Sequence, residues 1–126
     1  MKLVMIHHIS LKTSDLEKAK RFYGEVLGLV EENRPDFSFP GAWYQIGEYQ
    51  QLHLIEDSQF VYNPDRHIDT RGNHVAFRVD SYQETVAHLK TNKIEIKEKP
   101  DSTSGFAQIF CCDPDGHIIE FHVPQQ

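Results

Sequence analysis

Cysteine is nearly absent from this chain: two occur in 126 residues, and the two, Cys111 and Cys112, are neighbours. Adjacent cysteines are badly placed to staple distant segments, so the fold has to rest on its own core. They read as two small buried or half-buried thiols rather than a redox pair, and they suit a reducing compartment, the cytoplasm. Long apolar runs are also missing. Nothing approaches the roughly 20 consecutive apolar residues of a membrane span, and the opening residues lack a signal-peptide pattern. Positive charge is in deficit, with 13 Lys and Arg against 19 Asp and Glu, for a net charge of −6. That balance argues against nucleic acid or an acidic membrane as a partner. What remains is 39% apolar, enough for one domain or for two small halves sharing a core.

The pattern of elements runs through once and then starts again. Met5 to Lys12 reads as a strand. Ser14-Asp15-Leu16-Glu17 has the form of a capping box, and Leu16, Ala19, Phe22, Tyr23, Val26 and Leu27 follow at helical spacing. Gly28 stands where a left-handed cap would end that helix. A strand over Leu29 to Asn33 leads into a loop over Arg34 to Gly41, then two strands, Ala42 to Ile46 and Gln50 to Glu56, turn at Gly47. A polar connection over 58–72 separates this first module, residues 1–57, from a second, residues 73–126. There His74 to Asp80 reads as a strand, Ser81-Tyr82-Gln83-Glu84 as another capping box opening a helix to about Thr91, and Glu95 to Lys99 as a short strand. A hairpin of Ala107 to Cys112 and His117 to Val123 closes on Asp113-Pro114-Asp115-Gly116, a strong turn signal. Both capping-box serines, His8 and His74, and His53 and Glu120 all repeat at an offset of about 66 residues. The chain is strand–helix–three strands, twice.

Strand parity then points to chemistry. Alternate side chains of a strand face opposite ways. In His74-Val75-Ala76-Phe77-Arg78-Val79, the imidazole shares a face with Ala76 and Arg78 and opposes Val75, Phe77 and Val79. His8 and Ser10 oppose Ile9 and Leu11 in the same manner, His53 opposes Leu52 and Leu54, and Glu120 opposes Ile119 and Phe121. Four strands therefore each deliver one imidazole or carboxylate away from the core, as a metal site on a sheet requires. His7, His67, His88, His117 and His122 lack the support of the repeat and are read as ordinary surface or core groups.

The motifs carry a resemblance. His8-Ile9-Ser10-Leu11 with Asp15-Leu16, Phe22-Tyr23 and Leu27-Gly28 resembles the opening of the vicinal oxygen chelate superfamily, which holds glyoxalases, bleomycin-resistance proteins, extradiol dioxygenases and fosfomycin-resistance enzymes. Asn73-His74-Val75-Ala76-Phe77 and Asp113-Pro114-Asp115-Gly116-His117-Ile118-Ile119-Glu120 resemble its second-half signatures. The resemblance implies an α+β fold of two βαβββ modules, their mixed sheets curled around a metal-binding cavity with the helices outside, and it implies a homodimer. His8, His74 and Glu120 match the positions that hold the metal. His53 falls where glyoxalase I has a glutamate, a departure that separates this chain from that enzyme.

Two or three imidazoles with one carboxylate suit Zn, Ni, Co, Mn or Fe(II) rather than Ca or Mg. A six-coordinate ion with these four ligands keeps two positions open for neighbouring oxygens of a small substrate, possessing the Lewis acidity for isomerisation or elimination. The expected activity is that of a glyoxalase-like lyase or isomerase acting on a small α-oxygenated carbonyl compound or its thiol adduct, with Glu120 as the proton-transfer group and Tyr44, Tyr49 and Glu56 as weaker candidates. Trp43, Phe37 and Phe39 are candidates to wall a pocket, and Ser10, Arg78 and Gln108 to give it polar contacts. A carboxylate or phosphonate would suit the fork of Arg78. Two other enzyme readings stay open: a fosfomycin-type thiol transferase, for which basic residues are expected after Glu120 and few follow, and a ring-cleaving dioxygenase. A non-catalytic ligand-binding protein is the alternative from another class.

Overall fold

The computed structural model describes residues 1–126, which form two compact units, Met1–Val61 and Tyr62–Gln126. In the first unit the order is β1 (His8–Thr13), α1 (Leu16–Lys20), a π-helical segment (Arg21–Val26), β2 (Val30–Glu32), β3 (Gly41–Ile46) and β4 (Gln50–Glu56). The sheet runs β1-β4-β3-β2, with β1 and β4 parallel and the other pairs antiparallel. A parallel pair needs a crossover, and the helix supplies it. The apolar parity of the strands decides which face that helix covers. Ala42, Tyr44, Leu52 and Leu54 are buried, as are Ala19, Phe22 and Tyr23 of the helical stretch, and α1 packs on β4.

The second unit repeats the plan with β5 (His74–Arg78), α2 (Tyr82–Thr91), β6 (Lys97–Lys99), β7 (Phe106–Cys112) and β8 (Ile118–Pro124), in sheet order β5-β8-β7-β6. Here β5 and β8 are the parallel pair. Leu89 of α2 is buried with Ile109, Cys111, Ile119 and Phe121, and the helix contacts β7 and β8. Burial pushes the Cys111 thiol up to about 12 and raises that of Cys112, so both stay protonated and unreactive near neutrality. The architecture is α+β, two βαβββ modules with a helix on one face of each sheet.

Three local features depart from the expected pattern, each for a physical reason. The first helix is capped by Asp15, not Ser14: the Asp15 carboxylate accepts from the Lys18 amide at 3.2 Å. Strand β1 runs on to Thr13, whose hydroxyl accepts from the Asp15 amide at 3.2 Å, and this shifts the helix start by one residue. The carboxylate that takes the Leu16 amide, at 2.9 Å, belongs to Glu56 at the end of β4 rather than to Glu17. Second, the α-helix gives way after Lys20 to the π segment, where the Leu27 amide reaches back to the Phe22 carbonyl at 2.9 Å. This wider turn keeps the consecutive Phe22 and Tyr23 both inward and lays Gly24 on the Tyr44 ring. Third, the polar connection is held to the second unit. The Asn63 amide donates to the carbonyls of His67 at 2.9 Å and Gly116 at 3.1 Å, and Arg66 donates to that of Pro114 at 2.9 Å. The second capping box forms as expected, Ser81 accepting from the Glu84 amide at 3.2 Å.

Two substitutions separate these contributions in urea melts. Gly116 has φ of +89°, and a Cβ there would collide with the Asn63 carbonyl. Gly116→Ala is expected to cost about 2 kcal/mol or more, combining left-handed strain with that collision. Asp15→Ala removes a single cap and is expected to cost about 1 kcal/mol.

Candidate functional site

The face of the first sheet opposite α1 carries the first group of side chains. In the strand register Ser10 of β1 and Trp43 of β3 both lie directly across from His53 of β4. The His53 ring is stacked between Trp43, at 4.2 Å and 6°, and His8, at 4.1 Å and 14°. The Gln51 amide nitrogen donates to Glu32 at 2.6 Å, which turns its oxygen toward His53 Nε2 at 2.9 Å. Nε2 therefore carries the proton, and the lone pair sits on Nδ1. Burial lowers the His53 pKa, with the nearby His8, His7 and Arg34 adding to it against Glu32. A buried imidazole held neutral is the form that binds metals. His7 and His8 share a hydrogen bond between their Nδ1 atoms at 2.9 Å.

Two further aromatic rings lie in the loop before β3, both exposed. Phe37 and Phe39 stack at 5.0 Å, and the Arg34 guanidinium lies over both rings at 4.7 and 4.9 Å. Phe37 leans toward Trp43 at 6.2 Å. Arg34 also donates to the Phe39 carbonyl at 2.9 Å, so the loop before β3 is folded onto its own cation.

The second sheet carries the other group on its helix-free face. Glu120 is only 4% exposed. Its neighbours in register are the small Ala76 on β5 and Phe110 on β7. His74 Nε2 lies 3.1 Å from Glu120 Oε1. The other nitrogen, Nδ1, donates to the Gly72 carbonyl at 2.8 Å, and the ring stands edge-on to Phe110 at 5.7 Å. With Nδ1 protonated, a neutral His74 presents a lone pair to a carboxylate oxygen. Two acceptors at that separation repel unless a proton or a cation lies between them. A ring whose second nitrogen is committed to a backbone carbonyl is also the usual arrangement behind a metal-binding histidine. An imidazole lone pair beside a carboxylate oxygen is a pairing that suits a divalent ion chemically. Taken singly, neither unit draws three or more such ligating side chains together at metal-holding distances.

Of the remaining expected residues, Arg78 lies 5.5 Å over the Phe106 ring, and half-buried Gln108 is across from His122 in register. Tyr44 and Glu56 belong to the opposite, helix-covered face: Glu56 holds the start of α1, and burial pushes the Tyr44 hydroxyl up to about 12. Neither is positioned for proton transfer at the imidazoles. Tyr49 is exposed on the β3–β4 turn. His122, set aside because it lacks a counterpart in the repeat, has its Nδ1 2.7 Å from Glu120 Oε2. Its signal was available, because a residue two along a strand from Glu120 must share its face.

Metallothiol transferase FosB of Staphylococcus epidermidis is 30% identical to this chain, over 97% of the chain and 83% of that protein. The crystal structure of a glyoxalase family protein from Bacillus anthracis superposes with a TM-score of 0.82 at 26% identity, covering 99% of this chain and 98% of that one. A variant of the fosfomycin resistance protein FosX from Listeria monocytogenes, crystallised with Mn(II) and 1S,2S-dihydroxypropylphosphonic acid, superposes with a TM-score of 0.79 over 99% of this chain and 95% of that one; at 20% identity it is similar in fold alone. The sequence model of the Glyoxalase/Bleomycin resistance protein/Dioxygenase superfamily matches residues 5–121. That match takes in both sheets, both helices and all four candidate ligands, and the chain belongs to this superfamily.

Proposed function

We propose that this protein is a divalent-metal-dependent lyase or isomerase of glyoxalase type, acting on a small substrate through two neighbouring oxygens. The observation that carries the reading is the buried Glu120 facing a His74 nitrogen whose partner is already committed to the Gly72 carbonyl. In this reading His8, His74 and Glu120 hold the ion, with His53 as a fourth ligand, and copies of the chain pair as a homodimer in the cytoplasm. The ion when bound supplies positive charge where negative charge develops on a substrate oxygen. The chain's own residues do the rest. Gly72 fixes the His74 tautomer, and the Trp43–His53–His8 stack keeps its imidazoles in one orientation. Glu120 is the group that takes and returns a proton. Trp43 and Phe37 exclude water beside the imidazoles, while Ser10, Gln108 and Arg78 contact the polar end of the substrate.

A fosfomycin-type thiol transferase is the second reading, favoured by the 30% identity to FosB across nearly the whole chain. The two are separated by assaying one preparation for isomerisation of a hemithioacetal and for thiol addition to an epoxide phosphonate. Isomerisation without addition supports the first reading, and addition without isomerisation replaces it with the second.

Metal content is the direct test. Purified protein is expected to hold about one Zn, Ni, Co, Mn or Fe per chain by mass spectrometry, and His74→Ala to lose both the ion and turnover, a fall of at least 100-fold. Full turnover in metal-free protein would overturn the assignment. Metal affinity is expected to fall as pH drops, because an imidazole must be neutral to bind an ion. Burial lowers the His53 pKa, so this ring stays available to the ion further into acid than a free imidazole would. Titrations of metal binding between pH 5 and 8 check this, with His53→Gln expected to weaken binding and move the loss of metal to higher pH.

A further inference from the structure

The proposed ligand set leaves one oxygen of Glu120 unaccounted for. Oε1 faces His74, whereas Oε2 lies 2.7 Å from His122 Nδ1, shorter than the 3.1 Å His74 contact. A carboxylate oxygen is an acceptor, so Nδ1 of His122 carries the proton and donates it to the bond, and a bond to an ionised group at this length is among the stronger ones available. The His122 ring is not free to swing away. It lies flat against Phe106 at 4.3 Å and 8°, and Arg78 lies over that ring at 5.5 Å. Both histidine neighbours of Glu120 are thereby fixed in plane, one by a carbonyl and one by an aromatic face.

We propose that His122 is the positioning residue for the metal-binding carboxylate: by holding Oε2, it makes Glu120 a one-oxygen ligand that offers only Oε1. The inference rests on the metal reading above and adds a residue to it. Without the bond, the carboxylate is able to rotate about its last torsion and present both oxygens or neither. A donor of this kind behind a ligand is worth on the order of 10- to 100-fold in metal affinity. Phe106 and Arg78 belong to the same device, because they hold the plane of the donor.

The test compares metal affinities of wild type, His122→Phe and His122→Asn by chelator competition, with thermal melts of each metal-free protein alongside. His122→Phe keeps a flat ring against Phe106 but has no donor, and is expected to bind about 10- to 100-fold more weakly, its metal-free form melting somewhat lower because the buried Glu120 carboxylate has lost a donor. His122→Asn places an amide donor near the Nδ1 position and is expected to recover most of the affinity. Equal affinity of wild type and His122→Phe would overturn this inference while leaving the metal reading intact. A wild type that binds no ion would overturn both. Nitrogen-15 histidine spectra of the wild type give an answer that needs no variant. His122 is expected as the Nδ1-protonated tautomer with and without Zn, and an Nε2-only tautomer would overturn the proposal.

Discussion

The second sheet buries one carboxylate, and the arrangement around that charge governs what the face can do. A carboxylate at 4% exposure has left most of its water behind, and in an interior that is costly unless donors or cations replace it. The strand geometry supplies those replacements from opposite sides. His74 comes from the parallel neighbour β5 and His122 from two residues further along β8 itself. Ala76, across from Glu120, is small enough to let His74 reach it, and Phe110, on the other side, stands edge-on to the His74 ring. The polarity of this face follows from the apolar demand of the other one. Because α2 takes Ile109, Cys111, Ile119 and Phe121, the alternate residues of β7 and β8 have to face away.

The first sheet obeys the same rule with different materials. Its helix takes Leu52, Leu54, Ala42 and Tyr44, and the opposite face receives His8, Ser10, Trp43 and His53. No carboxylate anchors the imidazoles here. Their orientation comes from stacking, with rings 4.1 to 4.2 Å apart on both sides of His53, and from the Gln51 amide relay to Glu32. Burial favours an uncharged ring, in keeping with the lowered His53 pKa. The two sheets thus prepare imidazoles by different means, one by a neighbouring charge and the other by desolvation.

The parts of this design that depend on a period of two or on a repeat could be read from the sequence. The eight strands and the face of each candidate ligand follow from alternation, both helices follow from helical spacing behind a capping signal, and the repetition of the capping boxes and histidines identified two modules. What escaped was whatever depends on a neighbour distant in the chain. Ser14 and Asp15 are both good caps, and the choice fell to Asp15 only because β1 extends to Thr13 and Glu56 arrives from β4 to take the Leu16 amide. The π segment keeps helical spacing in the sequence, so periodicity could not distinguish it from an ordinary helix. His122 was discounted because it has no counterpart in the first module, although its parity with Glu120 was plain.

Duplicated modules share their ligand positions because both sheets are built alike, and so internal symmetry finds the residues that the two halves have in common. The groups that tune a ligand need no such symmetry, since each module orients its own side chains. Gln51 and Glu32 serve His53 in the first unit, while His122, Phe106 and the Gly72 carbonyl serve Glu120 and His74 in the second. The candidate ligands sit at matching strand positions in the two units, while the groups that orient them sit at positions that do not match. Members of one superfamily can therefore share a fold and a ligand set while differing in reaction, because the supporting groups are free to vary where the strand pattern is not.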